Sequence, residues 1–320
     1  MLLNRHKNAV LVIWTAVGVA LTIAMIVIGT QFSFFGNGTI SSNRFSSYGL
    51  VNAKAVTNPA SNGLKSENIS VEFEEPKNGV KSIKDNGFVS LGYVLSDANK
   101  EEPSIFNVHG ISKWKTGNVE FLFESLSPKD YESKVFYQAF TPFTRLANSA
   151  GFKDVKYLSK VGADGARHVV IETTAAGDKL GSKEASDLWG QMLLVLSPMA
   201  ENTSYDLTLT LEQGITVHGT LSSESEQAKM MEYDANNNWE GAFALANFAG
   251  VTGVDLYLQG NDIRDNTVAL TVKKPASVPN YVKSLKDYSA NKENKFPKDF
   301  TTTITVENEN TPVQVFSPGR

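Results

Sequence analysis

The chain has 320 residues, 41% of them hydrophobic, 20% charged and 10% aromatic, which are the proportions of ordinary globular proteins and exclude disorder throughout. Thirty Lys and Arg against 34 Asp and Glu leave a net charge of −4, so no global field favours nucleic acid as a partner. The absence of cysteine excludes a disulfide scaffold, a thiolate zinc site, an iron–sulfur cluster, a cysteine nucleophile and a lipoprotein anchor.

Residues 1–8 contain Arg5, His6 and Lys7, and residues 9–28 read AVLVIWTAVGVALTIAMIVI without a charge. At about 1.5 Å per residue such a run covers the roughly 30 Å hydrocarbon core as one helix. No charge follows until Arg44, so the positive-inside rule predicts a cytoplasmic stub, a transmembrane helix over 9–28 and everything after it outside. The apolar core exceeds the roughly 7 to 15 residues of a signal peptide and no A-x-A follows it, which favours an uncleaved signal-anchor in the cell membrane. The lipid bilayer is then a partner through residues 9–28.

Residues 29–70, rich in Ser, Asn, Gly and Ala, read as a flexible linker. Asn37, Asn68 and Asn202 each begin an N-x-S/T sequon. Residues 71–118 form an N-terminal extension with extra strands, FVSLGYVL (88–95) and FNVHGIS (106–112).

A first repeat is expected over 119–212. VEFLFES (119–125) alternates as a strand. Ser127-Pro128 opens a helix whose apolar stripe runs to Ala150, with a kink at Pro142. DVKYLS (154–159) and HVVIETT (168–174) make a hairpin around GADG. Ser182 caps a helix that stops at Pro198, and YDLTLTL (205–211) is the closing strand. A second repeat over 213–320 follows the same order: strand 215–221, helix 223–249, hairpin strands 254–259 and 267–273, helix 278–288, strand 300–306, with PVQVF (312–316) as an extra strand. LANSAG (146–151) and LANFAG (245–250) match at five of six positions at an offset of 99. The predicted class is therefore α+β: an N-terminal transmembrane helix, then two tandem ferredoxin-like (βαββαβ) antiparallel-sheet domains with helices on one face.

Chemistry is sparse. The four histidines are His6, His109, His168 and His218, none with a ligand neighbour at metal spacing, and His168 and Glu172 lie about 13 Å apart along a strand. DANNNWEG (234–241) resembles a calcium loop only superficially, since Trp239 and Leu245 occupy the required Gly and Glu positions. The turns GADGAR (162–167) and GNDIRDN (260–266) suit hairpins. No nucleophile elbow, Walker loop, H-E-x-x-H or dinucleotide fingerprint is present, and carboxylates such as Asp130, Glu132, Glu224 and Glu226 complement helix N-termini. No catalytic, cofactor-binding or metal residue is assigned.

One surface invites a functional reading. Out of phase with the apolar set lie Thr216, His218, Thr220, Asp255, Tyr257, Thr271, Thr303 and Thr305. Threonine's β-propensity alone accounts for hydroxyls on a solvated face; a docking surface for a protein or glycan would use Tyr257 and His218 as amphipathic contacts. In the first half Leu122, Leu158 and Val170 interrupt the polar pattern, as a face packed against another layer would. The expected function is a non-enzymatic interaction or assembly module of a cell-envelope complex, binding a protein partner or copies of itself. The alternative is an extracytoplasmic sensor of a solute, glycan or ion.

Overall fold

Period-2 alternation of apolar and polar residues recurs from Ile69 to Val306, and in the computed structural model it is laid out as a single sheet. The structure describes residues 54–58, 65–74, 87–101, 104–114, 117–126, 145–146, 149, 151–162, 165–177, 180–211, 214–235, 240–259, 266–294, 300–309 and 312–316. The strands are β1 (Lys54–Asn58), β2 (Lys65–Glu74), β3 (Ser104–Trp114), β4 (Gly117–Leu126), β5 (Phe152–Val161), β6 (Arg167–Ala175), β7 (Thr203–Leu211), β8 (Ile215–Leu221), β9 (Val251–Gln259), β10 (Thr267–Val272), β11 (Thr301–Val306) and β12 (Pro312–Phe316). Each pairs with its neighbours in chain order, β1 to β12. Pairing alternates strictly: β1–β2, β3–β4, β5–β6, β7–β8, β9–β10 and β11–β12 are antiparallel, and the five pairs between them are parallel. The connections between antiparallel partners are short in sequence and those between parallel partners long, as parallel pairing requires.

The described helices are α1 (Gly87–Glu101), α2 (Ser182–Val195), α3 (Glu224–Ala235), the short α4 (Glu240–Ala244) followed by a 3-10 turn at Leu245–Asn247, and α5 (Val278–Ala290). In α2 the buried residues Ala185, Leu188, Trp189, Met192, Leu193 and Leu196 recur at three- and four-residue spacing, one stripe turned to the sheet. They meet Tyr205, Leu207, Leu209, Val217 and Leu221 in one continuous core. Helix α2 touches both α3 and α4, and Phe248 packs its ring on Tyr281 and Tyr288 of α5, so α2 to α5 share one side of the sheet. Ser277 caps α5 by accepting from the Asn280 amide, with Pro279 in the first turn.

Gln227 of α3 is buried and its Nε2 donates to the Leu193 carbonyl near the end of α2, at 2.7 Å. Gln227→Met keeps the volume and removes the only donor that side chain offers that carbonyl; it is expected to lower the urea-unfolding free energy by about 1 kcal/mol.

Several expectations are corrected by this arrangement. The two tandem ferredoxin-like domains are not present: of the two expected repeats only the second, β8 to β11, has its βαββαβ order complete among the described residues, and there, as throughout, the strands pair sequentially in one mixed sheet instead of interleaving into two antiparallel sandwiches. Element order constrains which pieces follow one another and leaves open which strands lie side by side. Residues 9–28 lie outside the described residues. Among the described residues no helix is long and apolar enough to cross a membrane; the longest, α1, has 15 residues and spans about 22 Å. The expectation of a signal-anchored, single-pass membrane protein with its C-terminal part outside is therefore not upheld. The segment expected to be a linker to residue 70 carries β1 and the start of β2. FVSLGYVL lies in α1 and is not a strand, because Leu91, Val94, Leu95 and Ala98 are the buried set and their spacing is helical. Ser182 is the first residue of α2, after a Gly181 cap. The helix expected over 223–249 is described as α3, α4 and the 3-10 turn. The helix expected over 128–150 and its Pro142 kink lie outside the described residues apart from Arg145, Leu146 and Ser149.

Candidate functional site

With α2 to α5 on one side, the alternate residues of every strand face the other way, and no described helix covers them there. On β8 the buried residues Ile215, Val217, Gly219 and Leu221 alternate with Thr216, His218 and Thr220, of which Thr220 is exposed and the others half-buried. Tyr257, Thr271, Thr303 and Thr305 are likewise half-buried on that open face. Leu122, Leu158 and Val170 lie on it too, adjacent in register and half-buried; among the described residues no second domain packs over them.

Strand register assembles a cross-strand row there: Glu72, Ile111, Glu120, Lys156, Glu172, Thr208, His218, Tyr257, Thr267 and Thr301 are successive partners from β2 to β11. At about 4.8 Å per strand the row is on the order of 43 Å long. Its first half is charged. Lys113 pairs with Glu72, His109 Nε2 lies 3.3 Å from Glu120 Oε1, Lys156 Nζ lies 3.9 Å from Glu172 Oε2, and Lys160 Nζ lies 3.5 Å from Glu124 Oε2. The His109 hydrogen bond holds the Glu120 carboxyl below its ordinary range.

Its second half is built from hydroxyls around one ring pair. His218 and Tyr257 stack with centroids 4.9 Å apart and planes 11° from parallel. His218 Nδ1 lies 3.3 Å from Thr208 Oγ1, and its Nε2 lies 3.9 Å from Asp255 Oδ1. Thr216 hydrogen-bonds Asp255, and Thr220 donates to Asp206 at 3.0 Å. Burial disfavours charge on all three central groups, lowering the His218 pKa and raising those of Asp255 and Tyr257. Thr271 and Thr305 are register partners, and Thr303 sits one rung away. The structure thus gathers His218, Tyr257 and Thr216 with Asp255 and Thr208, and leaves Thr271, Thr303 and Thr305 as a separate hydroxyl patch on β10 and β11. Thr208, Asp206 and the His109–Glu120 pair were not singled out in the sequence. One signal could have found His109: Val108-His109-Gly110 recurs as Val217-His218-Gly219, with the histidine on the open face both times.

Thr208, His218 and Asp255 line up as hydroxyl, imidazole and carboxylate, but the sequence of contacts does not make a nucleophilic centre. β7 and β8 are paired on both sides, so backbone amides are committed to the ladder where an oxyanion hole would need them free. His168 is apart from this group, its Nδ1 2.7 Å from Ser204 Oγ. Among the described residues no three His, Cys, Asp or Glu side chains are placed to hold a metal ion.

The shifts have a sign. For His218 the folded pKa lies below the ordinary 6.5, so its share of stability is present above that pH and is lost as pH falls through the folded value. For Asp255 the folded pKa lies above 3.8, so its share is present below that pH and is lost as pH rises through the folded value. From pH 7 to 5.5 the His218 loss is expected to show as a falling urea midpoint, and His218→Gln to flatten that fall; equal slopes in the two proteins would refute the assignment.

No family model matches the chain, and no curated protein and no solved structure matches it either.

Proposed function

We propose that the protein is a non-enzymatic interaction module whose open sheet face docks a protein partner. The observation that carries the reading is the ring pair His218–Tyr257, half-buried at the centre of a hydroxyl-lined face that no described helix covers. Tyrosine and histidine present apolar area with a polar tip at small entropic cost, as interface centres do. Around them, Thr208, Thr216 and Thr220 supply donors and acceptors whose directions are set by strand positions. The ion-paired first half, with Leu122, Leu158 and Val170 between its charges, has the composition of an apolar centre with a polar rim.

A photo-crosslinking side chain at Tyr257 tests this, with one at exposed Lys286 on α5 as the opposite-face control. A single defined adduct from position 257, absent from 286 and abolished by Thr271→Arg or Thr303→Arg, is the expected result. Equal adducts from both positions, or none, would count against docking by this face. A second reading, a neutral glycan held by the ring pair with Asp206 and Asp255 accepting from sugar hydroxyls, is favoured by those two carboxylates beside the stack. It predicts that a glycan raises the melting temperature of the parent protein and not of Tyr257→Ala.

A further inference from the structure

On the open face of β10 the smallest side chain is that of Ala269, whose register partners are Asp255 on β9 and Thr303 on β11. Tyr257 stands two residues further along β9, opposite Thr267. One face of its ring is stacked on His218 of β8, so the other turns to β10, where Thr267 and Ala269 are both short. The difference in side-chain length makes a dip over Ala269, bounded by a carboxylate, an aromatic ring and a hydroxyl.

Charge sets the dip apart as well. Elsewhere on this face Glu72, Glu124 and Glu172 each meet a lysine, and Glu120 meets His109. Asp255, with its side chain 42% exposed, pairs with no lysine or arginine among the described residues; its polar neighbours are Thr216 and, at 3.9 Å, His218 Nε2. Burial lowers the His218 pKa, so at neutral pH the imidazole is uncharged and leaves the carboxylate uncompensated. Burial also disfavours the Asp255 carboxylate itself and raises its pKa. A half-buried carboxylate without a counter-ion gains more from an arriving cation than an exposed one does, because water screens it less.

We propose that this dip seats an arginine side chain of the docked partner. The guanidinium donates to the Asp255 carboxylate and to Thr303 Oγ1, and its plane lies against the side of the Tyr257 ring that faces β10. Arginine suits the place better than lysine, because a planar, weakly hydrated group stacks on a ring while it donates in its own plane. The assignment rests on docking by this face and names the chemistry of what docks. A neutral glycan, in contrast, would leave the charge of Asp255 uncompensated.

Nα-acetyl-arginine methylamide and its uncharged isostere Nα-acetyl-citrulline methylamide test the dip, with the Ala269 methyl as reporter in NMR of the full chain. The arginine compound is expected to shift that methyl saturably, with a dissociation constant on the order of 10 mM or below, and the citrulline compound to leave it in place. Asp255→Asn is expected to weaken binding about tenfold or more, as the loss of a charge-assisted contact does. Asp206→Asn, exposed on the far side of His218, should change it by no more than about twofold. The bound cation should also draw the Asp255 carboxyl titration to lower pH, since a neighbouring positive charge favours the ionised form. Equal shifts from the two compounds, or none from either, overturn the proposal. Docking is read separately by a photo-crosslinking side chain at exposed Thr220, which leaves Asp255 and Tyr257 intact. Its adduct is expected to fall severalfold in Asp255→Asn. An undiminished adduct overturns the arginine and leaves docking standing. No adduct at all, with the methyl shift intact, overturns docking by this face and with it the partner as the source of the arginine.

Discussion

Trp189→Ala is expected to lower the free energy of unfolding by about 4 kcal/mol, the cost of emptying an aromatic core position. Trp189 is fully buried and is among the largest such side chains in the described chain. It stands on α2 and reaches the sheet at Gly219, where an added Cβ would lie 2.8 Å from both ring carbons Cη2 and Cζ2. The glycine on β8 is therefore a seat for an indole that comes from another element. Gly219→Ala should cost about 2 kcal/mol in the parent protein, because the ring must shift within a packed core. In a Trp189→Leu background the smaller side chain makes room, and the same substitution should cost well under half as much. The coupling energy from this double-mutant cycle is then about 1 kcal/mol or more, favourable in the double variant. Urea unfolding with linear extrapolation measures all four corners. A Gly219→Ala effect that is unchanged by trimming Trp189 would mean that the ring does not rest on the glycine.

The difference between what the sequence made legible and what it hid follows the distinction between local and non-local information. ITVHGTL predicts a strand over 215–221, and β8 has those bounds, because alternation along one strand is a local signal. FVSLGYVL satisfies both periods at once: Val89, Leu91, Tyr93 and Leu95 alternate, while Leu91, Val94, Leu95 and Ala98 recur helically. Extending the window to Ala98 decides for the helix, since its buried residues are the second set. Pairing was not legible. The split order follows from right-handed crossovers with helices on one face, since reversing the lateral step when the strand direction reverses keeps the hand constant. Here the sheet steps one way throughout while strand direction reverses between β6–β7 and β8–β9, and α2 and α3 share a side. Successive crossovers on that side must then alternate in hand. The junctions do repeat: Ser149 N donates to Leu146 O and Phe248 N to Leu245 O, both at 3.0 Å, so the LANSAG and LANFAG segments close in the same turn. The open-face phase of Thr216, His218 and Tyr257 was readable from alternation. Their convergence with Thr208 and Asp255 was not, because it depends on β7 and β9 flanking β8 in one register.

Gly110→Ala is expected to be nearly as damaging as the loss of Trp189, and for a reason that no second substitution relieves. Gly110 occupies in β3 the position that Gly219 occupies in the repeated Val-His-Gly tripeptide, and it too seats an aromatic ring. A Cβ there would run into the Phe121 ring and would lie 2.5 Å from the Val71 carbonyl oxygen. Phe121 is its register partner on β4 and Val71 its register partner on β2, so the obstruction is a side chain on one flank and main chain on the other. A side chain can change rotamer, whereas a carbonyl flanked by paired strands moves only if the ladder moves with it. The expected cost is about 3 kcal/mol, at the upper end for overpacking. Phe121→Leu removes the ring and leaves the carbonyl, so it should recover little, in contrast to Trp189→Leu at Gly219. Widening of the strand pair at Gly110 would also displace His109 from Glu120, which are held 3.3 Å apart. The Glu120 carboxyl, lowered first of all by that hydrogen bond, should then titrate closer to its ordinary 4.5, a change that carbon-detected NMR of the side-chain carboxyl reads directly. Full rescue of Gly110→Ala by Phe121→Leu would show that the ring alone fills the space and that β2 and β3 are not held against each other at this point.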